Sequence, residues 1–105
     1  MDIVKINYPN GDSYEGYMKD GKPHGKGAKT YNDGTKYECE WCDGKPIGGI
    51  RIYYINGDKY EGPIEYYKPH GHGKKFYSNG TTYECQWYHG KPQGMIKVKY
   101  PSGLP

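Results

Sequence analysis

The sequence is poor in apolar side chains. Hydrophobic residues make up 33% of its 105 positions, and the mean hydropathy is −1.12. Ordinary globular domains are nearer ~45–50% apolar, so a compact two-layer core is not expected. No run approaches the ~20 apolar residues of a membrane-crossing helix. The opening MDIVKINYPN holds no apolar core of signal-peptide length. Cysteine is scarce and odd in number, at three, which argues against a secreted disulfide scaffold. A reducing, cytoplasmic setting is the expectation. Charge of one sign is also scarce: the net charge is only +3, without the clustered excess of a nucleic-acid binder. No window has helical periodicity. The chain offers no nucleophile–base–orienter set and no paired carboxylates suited to a pocket, so neither an enzyme nor a cofactor is expected.

Rings and glycines stand in place of an aliphatic core: 14 Tyr, 2 Trp and 1 Phe against 17 Gly. They recur. Cutting before each Tyr-Glu pair gives four segments of 23 residues, at 14–36, 37–59, 60–82 and 83–105. Residues 1–13 fit the second half of one more copy, leaving a single array over 1–105 with no linker. The copies alternate. The first and third carry YEG and KPHGxG; the second and fourth carry YEC, a Trp two residues later, and GKPxGxI. The unit of repetition is therefore a pair of copies, 46 residues long.

Within a copy the pattern alternates with the period of a strand. Tyr37, Cys39 and Trp41 fall on one face, Glu38 and Glu40 on the other. The turns before Gly11, Gly34, Gly57 and Gly80 read as three-residue loops ending in a left-handed glycine, which sets Ile6 opposite Tyr14 and Ile52 opposite Tyr60. A longer connection is expected through the Lys-Pro pairs at 22–23, 45–46, 68–69 and 91–92. Pairing Trp41 with Gly48 sets Cys39 against Ile50, Cys85 against Ile96, Gly16 against Gly27 and Gly62 against Gly73. It also sets Glu38 against Arg51, Glu61 against Lys74 and Glu84 against Lys97, and the large side chains at 18, 41, 64 and 87 against glycines. Nine strands at ~4.8 Å would span roughly 40 Å as one antiparallel sheet.

The motif YEGxxxxGxxHGxGxxxxxxGxx, as in Tyr14 to Lys36, resembles the MORN (membrane occupation and recognition nexus) repeat. The resemblance covers the whole chain, though the second and fourth copies have Cys for the central Gly and lack His-Gly-x-Gly. It implies an all-β, elongated, twisted single-layer antiparallel sheet of tandem hairpins with a concave, aromatic-lined groove. It also implies scaffolding of proteins, cytoskeletal organisation or contact with phosphoinositide membranes.

Three sets of residues are candidates. Tyr14, Tyr37, Trp41, Tyr60, Tyr83 and Trp87 could line a groove for a peptide or helix of a protein partner. Any one ring is more simply read as packing over glycine, but a single-layer sheet would leave one side of the whole stripe uncovered. On that reading, removing Trp41 and Trp87 should spare the fold and lose the partner. Lys26, Arg51, Lys74 and Lys97 share the polar face and could meet anionic lipid, although nearby glutamates offer each of them a simpler pairing. The end strands, with Val4, Ile6 and Tyr8 at one end and Ile96, Val98 and Tyr100 at the other, have nothing left in the sequence to cover them. They point to a homodimer, with Lys97, Lys99 and Pro101 as partial guards.

No metal is expected within one chain. His24 and His70 stand two copies apart, and His70 with His72 makes an incomplete set. A site shared across a dimer stays open, and Cys42 or His89 could contribute to it. Cys39 and Cys85 read as small buried hydrophobes too far apart to bridge, and Cys42 as the more reactive thiol. Asn79-Gly80-Thr81 matches a glycosylation sequon but sits where a repeat turn requires Asn-Gly.

Overall fold

The computed structural model describes residues 3–101. The first two residues of the half copy and the last four of the fourth copy lie outside them. The described chain is all-β, with eleven strands and no helix. Nine strands form one antiparallel sheet in chain order: β1 (Val4–Asn7), β2 (Ser13–Lys19), β3 (Lys22–Thr30), β4 (Lys36–Cys42), β5 (Lys45–Tyr53), β6 (Lys59–Glu61), β9 (Gly71–Phe76), β10 (Thr82–Tyr88) and β11 (Lys91–Lys99). β7 (Ile64–Glu65) and β8 (Lys68–Pro69) make a separate two-stranded ladder. The sheet does not close, and the molecule extends 49 × 24 × 22 Å.

The turns between copies follow the expected chemistry. Tyr8 N–H donates to the Asp12 carbonyl at 2.8 Å, and Gly11 N–H to the Tyr8 carbonyl at 3.1 Å, with Gly11 at φ 96°. That is a type I turn closed by a left-handed glycine. Ile6 pairs with Tyr14, and Ile52 with Tyr60. The connection through Lys-Pro differs from the expectation. It is a tight two-residue turn, Asp20–Gly21, Asp43–Gly44 or His89–Gly90, with both residues at positive φ. Such turns match the right-handed twist of the flanking strands. The Lys-Pro pairs therefore open strands β3, β5, β8 and β11 rather than lie in a loop.

This shorter turn shifts the register near each tip. The expected pairs Gly16–Gly27, Glu38–Arg51, Glu61–Lys74 and Glu84–Lys97 all form. Beyond them the second strand of each hairpin bulges, and Trp41 lies opposite Pro46 rather than Gly48. Met18, Ile64 and Trp87 likewise face Pro23, Pro69 and Pro92. The glycines that face the tryptophans belong to the preceding copy: Gly25 for Trp41 and Gly71 for Trp87.

The third hairpin is the irregular one. Pro63 stands where the first copy has Tyr17, and proline brings no N–H to a ladder. β6 accordingly stops at Glu61, and the tip continues as β7 and β8. Its turn is Tyr66–Tyr67, at φ 51° and 63°, without a glycine. Left-handed backbone costs such residues roughly 1–2 kcal/mol each. Tyr67 also joins the rest of the sheet: the Tyr37 hydroxyl donates to its carbonyl at 2.7 Å, and its ring lies 5.9 Å from that of Tyr37.

Two buried aspartates tie turn to turn. The Asp12 carboxylate accepts the Asn32 N–H at 2.8 Å, and Asp58 accepts the Ser78 N–H at 2.8 Å. Asp58 also accepts from the Asn56 side-chain amide at 3.2 Å. Hydrogen bonds to a charged group contribute about 1.5–3 kcal/mol. Asp58→Ala is expected to lower stability by about that amount, read as a drop in the urea midpoint at unchanged m-value. An unchanged midpoint would show that the link is immaterial.

Candidate interaction surfaces

The aromatic face is the core of the molecule. Tyr14, Tyr37, Trp41, Tyr60 and Trp87 are all buried, with 6% or less of their surface exposed; Tyr83 is half-buried. The expectation that one side of these rings stays uncovered fails for five of the six. The physical reason is their orientation. The Tyr14 hydroxyl reaches the Tyr17 carbonyl at 2.6 Å, and Tyr60 reaches Pro63 at 2.7 Å. Each ring thus lies down over a glycine pair: a Cβ added at Gly27 or Gly73 would collide with the Tyr14 or Tyr60 ring. The indoles donate backwards across the sheet, Trp41 to the Gly27 carbonyl at 2.9 Å and Trp87 to Gly73 at 3.0 Å. Tyr14 and Trp41 meet edge to face at 6.0 Å, as Tyr60 and Trp87 do at 5.8 Å. Burial pushes the phenols of Tyr37 and Tyr60 up to about 12. Burial likewise lifts the Cys39 thiol to about 12, and Cys39 and Cys85 are buried as expected.

The polar face carries an ordered row of charge. One side chain from each main-sheet strand lines up across the sheet: Lys5, Glu15, Ala28, Glu38, Arg51, Glu61, Lys74, Glu84 and Lys97. The sign alternates at every step except Ala28. Arg51 approaches Glu61 at 3.7 Å. Of the four candidate lipid contacts, Arg51, Lys74 and Lys97 each stand across from at least one glutamate of this row, and Lys26 stands across from Glu40. The structure therefore brings these residues together as a balanced ladder, not a cationic patch. The pairs between hairpins, Arg51–Glu61 and Lys74–Glu84, lie outside the expected set, but the sequence carries their signal, since an antiparallel meander continues the register through its three-residue turns.

A groove of about 1320 Å³ runs along this charged face from β2 to β7. Lys26, Ala28, Glu40 and Arg51 line it, together with Ile47 and glycine backbone. Among the described residues, mixed charge and aliphatic side chains line the groove, with Tyr17 as its single aromatic ring.

The repeat signature of this sheet has a counterpart among known families. The MORN repeat family matches the chain at residues 14–36, 60–82 and 83–103, more than half its length. The chain belongs to the MORN-repeat family. Its second copy, 37–59, is outside the matched segments, although the fourth copy, with the same Cys and Ile in place of the glycine pair, is matched. No curated protein matches the chain. MORN repeats are protein- or membrane-interacting modules without enzymatic activity of their own, so the surfaces that matter here are those left uncovered.

The sheet ends are such surfaces. β11 is exposed at every residue, and Met95 is 95% exposed. Ile96, Val98 and Tyr100 are all exposed. At the other end Val4 is exposed, while Ile6 and Tyr8 are half-buried. Among the histidines, His72 lies 3.2 Å from Glu84 and His70 lies 3.2 Å from Glu65, while the His70 and His89 rings stand 5.2 Å apart.

Proposed function

We propose that this MORN array is a non-enzymatic scaffold that self-associates through its β11 edge and holds a protein partner in the groove of its charged face. The observation that carries the reading is the exposure of β11 along its whole length, with apolar Met95, Ile96 and Val98, and Tyr100 just beyond them, on an edge that no other described strand pairs. Unpaired, apolar edges pair readily with another strand.

The geometry favours a closed pair over a filament. β1 and β11 are the first and ninth strands of an antiparallel meander, so they point the same way. Head-to-tail stacking would make a parallel junction and bring Lys97 and Lys5 together in the charge row. Two β11 strands related by a twofold axis pair antiparallel. Centred on Ile96, that pairing sets Val98 against Gly94 and Lys97 against Met95, and keeps like charges apart.

Light scattering at high concentration is expected to give twice the 12.0 kDa chain mass. Ile96→Lys sets two ammonium groups against each other at the twofold axis and should return the single-chain mass. A monomeric wild type overturns the reading.

The alternative is a peripheral membrane module binding anionic phospholipid through Lys26, Arg51, Lys74 and Lys97. The balance of each against a glutamate argues for the scaffold. Vesicles containing phosphoinositide should therefore fail to carry the protein in flotation at physiological salt. Co-flotation lost on replacing these four residues would instead favour the membrane reading.

A further inference from the structure

We propose that His24, Cys42 and Asp43 form a zinc site where the tip of the second hairpin meets the start of β3. A ring nitrogen of His24, the Sγ of Cys42 and a carboxylate oxygen of Asp43 all lie within 4.8 Å of one another. His24 Nδ1 is 3.9 Å from one Asp43 oxygen, and Cys42 Sγ is 4.0 Å from the other. A tetrahedral ion with bonds of about 2.0–2.3 Å holds its donors about 3.3–3.8 Å apart. Small side-chain rotations close the difference.

The backbone fixes this arrangement. Asp43 and Gly44 form the tight turn, at φ 50° and 84°. The Gly44 N–H donates to the Pro23 carbonyl at 2.9 Å, one residue before His24. Gly25 pairs with Trp41, and one further step of that register sets His24 opposite Cys42. A second, independent observation is the state of the imidazole. His24 Nδ1 is buried and has no hydrogen-bond partner. A buried nitrogen left unpaired costs free energy, and a metal ion bound there would satisfy it.

The donor set selects the ion. Thiolate and imidazole suit zinc, whereas calcium and magnesium require oxygen ligands. Binding displaces the Cys42 thiol proton to solvent. One thiolate and one carboxylate then balance the two charges of Zn²⁺, with neutral imidazole as the third donor. The fourth position falls to water. Cys42 is half-buried and Asp43 exposed, so the ion has a path in.

The repeat supplies an internal comparison. Two copies on, the same places hold His70, Tyr88 and His89. The backbone is the same there: the Gly90 N–H donates to the Pro69 carbonyl at 2.8 Å, and His70 Nδ1 is also buried and unpaired. The thiol and the carboxylate are gone, leaving a phenol and a second imidazole, and His70 Nε2 is engaged with Glu65 at 3.2 Å. This second place lacks the charge to hold zinc tightly.

Titration of the full chain with cobalt(II), as a spectroscopic stand-in for zinc, tests the site. The expected result is one equivalent per chain, with a thiolate-to-cobalt charge-transfer band that zinc abolishes. Cys42→Ser and His24→Ala should lose the band, and His70→Ala should keep it. The double substitution Tyr88→Cys and His89→Asp should add a second equivalent, an arm that stands even if a loss variant folds poorly. Absence of the band, its survival in Cys42→Ser, or half an equivalent per chain with a doubled mass would each overturn the proposal.

Discussion

Replacing Trp41 and Trp87 together with alanine should leave the chain largely unfolded at room temperature. Each indole is buried to within 2% of its surface, stacks edge to face on a tyrosine, and donates to a glycine carbonyl of the preceding strand. A buried Trp→Ala change costs about 3–5 kcal/mol. The two sites are 46 residues apart in a sheet whose copies touch mainly their neighbours, so the losses should add. The sum, about 6–10 kcal/mol, matches the whole stability of an ordinary domain at about 5–15 kcal/mol. Each single variant should remain folded with a much reduced denaturant midpoint, measured by Trp fluorescence of the remaining indole and by circular dichroism. This reverses the expectation that the pair could be removed at the expense of binding alone. A double variant with a wild-type midpoint would show that the indoles are surface groups after all.

Gly27→Ala should destabilise the protein by about 2–3 kcal/mol, an unusually large effect for one methyl group, because overpacking against a fixed ring has nowhere to relax. The new Cβ would run into the Tyr14 hydroxyl and ring, and that ring is held by its bond to the Tyr17 carbonyl. Gly48→Ala is the control. No heavy atom lies within 4 Å of a Cβ placed there, and its φ is not positive. It should be neutral or stabilise by up to ~1 kcal/mol through loss of unfolded-chain entropy. Tyr14→Leu should cost stability by itself but remove most of the Gly27→Ala penalty in the double variant. Thermal or urea unfolding of the four proteins reads the non-additivity directly. Simple additivity would mean that ring and glycine do not meet.

Much of the fold was legible because a strand's period is short and the repeats test one another. Equal spacing of the Tyr-Glu pairs, glycine at the end of each three-residue loop, and the match of Gly16 with Gly27 and Glu38 with Arg51 required only local rules. The tip geometry was not legible. Asp20–Gly21 and Asp43–Gly44 are strong two-residue turn signals, but the Lys-Pro that follows resembles loop sequence, and proline is tolerated there because the strand bulges. That bulge moves Trp41 off Gly48.

The candidate surfaces divide the same way. The alternation of Tyr, Cys and Trp with Glu determined that one face is aromatic and the other charged. It determined the two-copy unit as well, since the Tyr14–Trp41 and Tyr60–Trp87 stacks recur at that period. Only the tertiary structure decided which face is covered. A one-dimensional pattern assigns a side chain to a side of the sheet but does not say whether its ring stands up to meet a partner or lies down on the next strand's glycine. That choice depends on hydroxyl and indole partners found three residues away within a copy or fourteen residues away in the copy before. The meeting of His24 with Cys42 and Asp43 likewise depends on register between hairpins rather than within one.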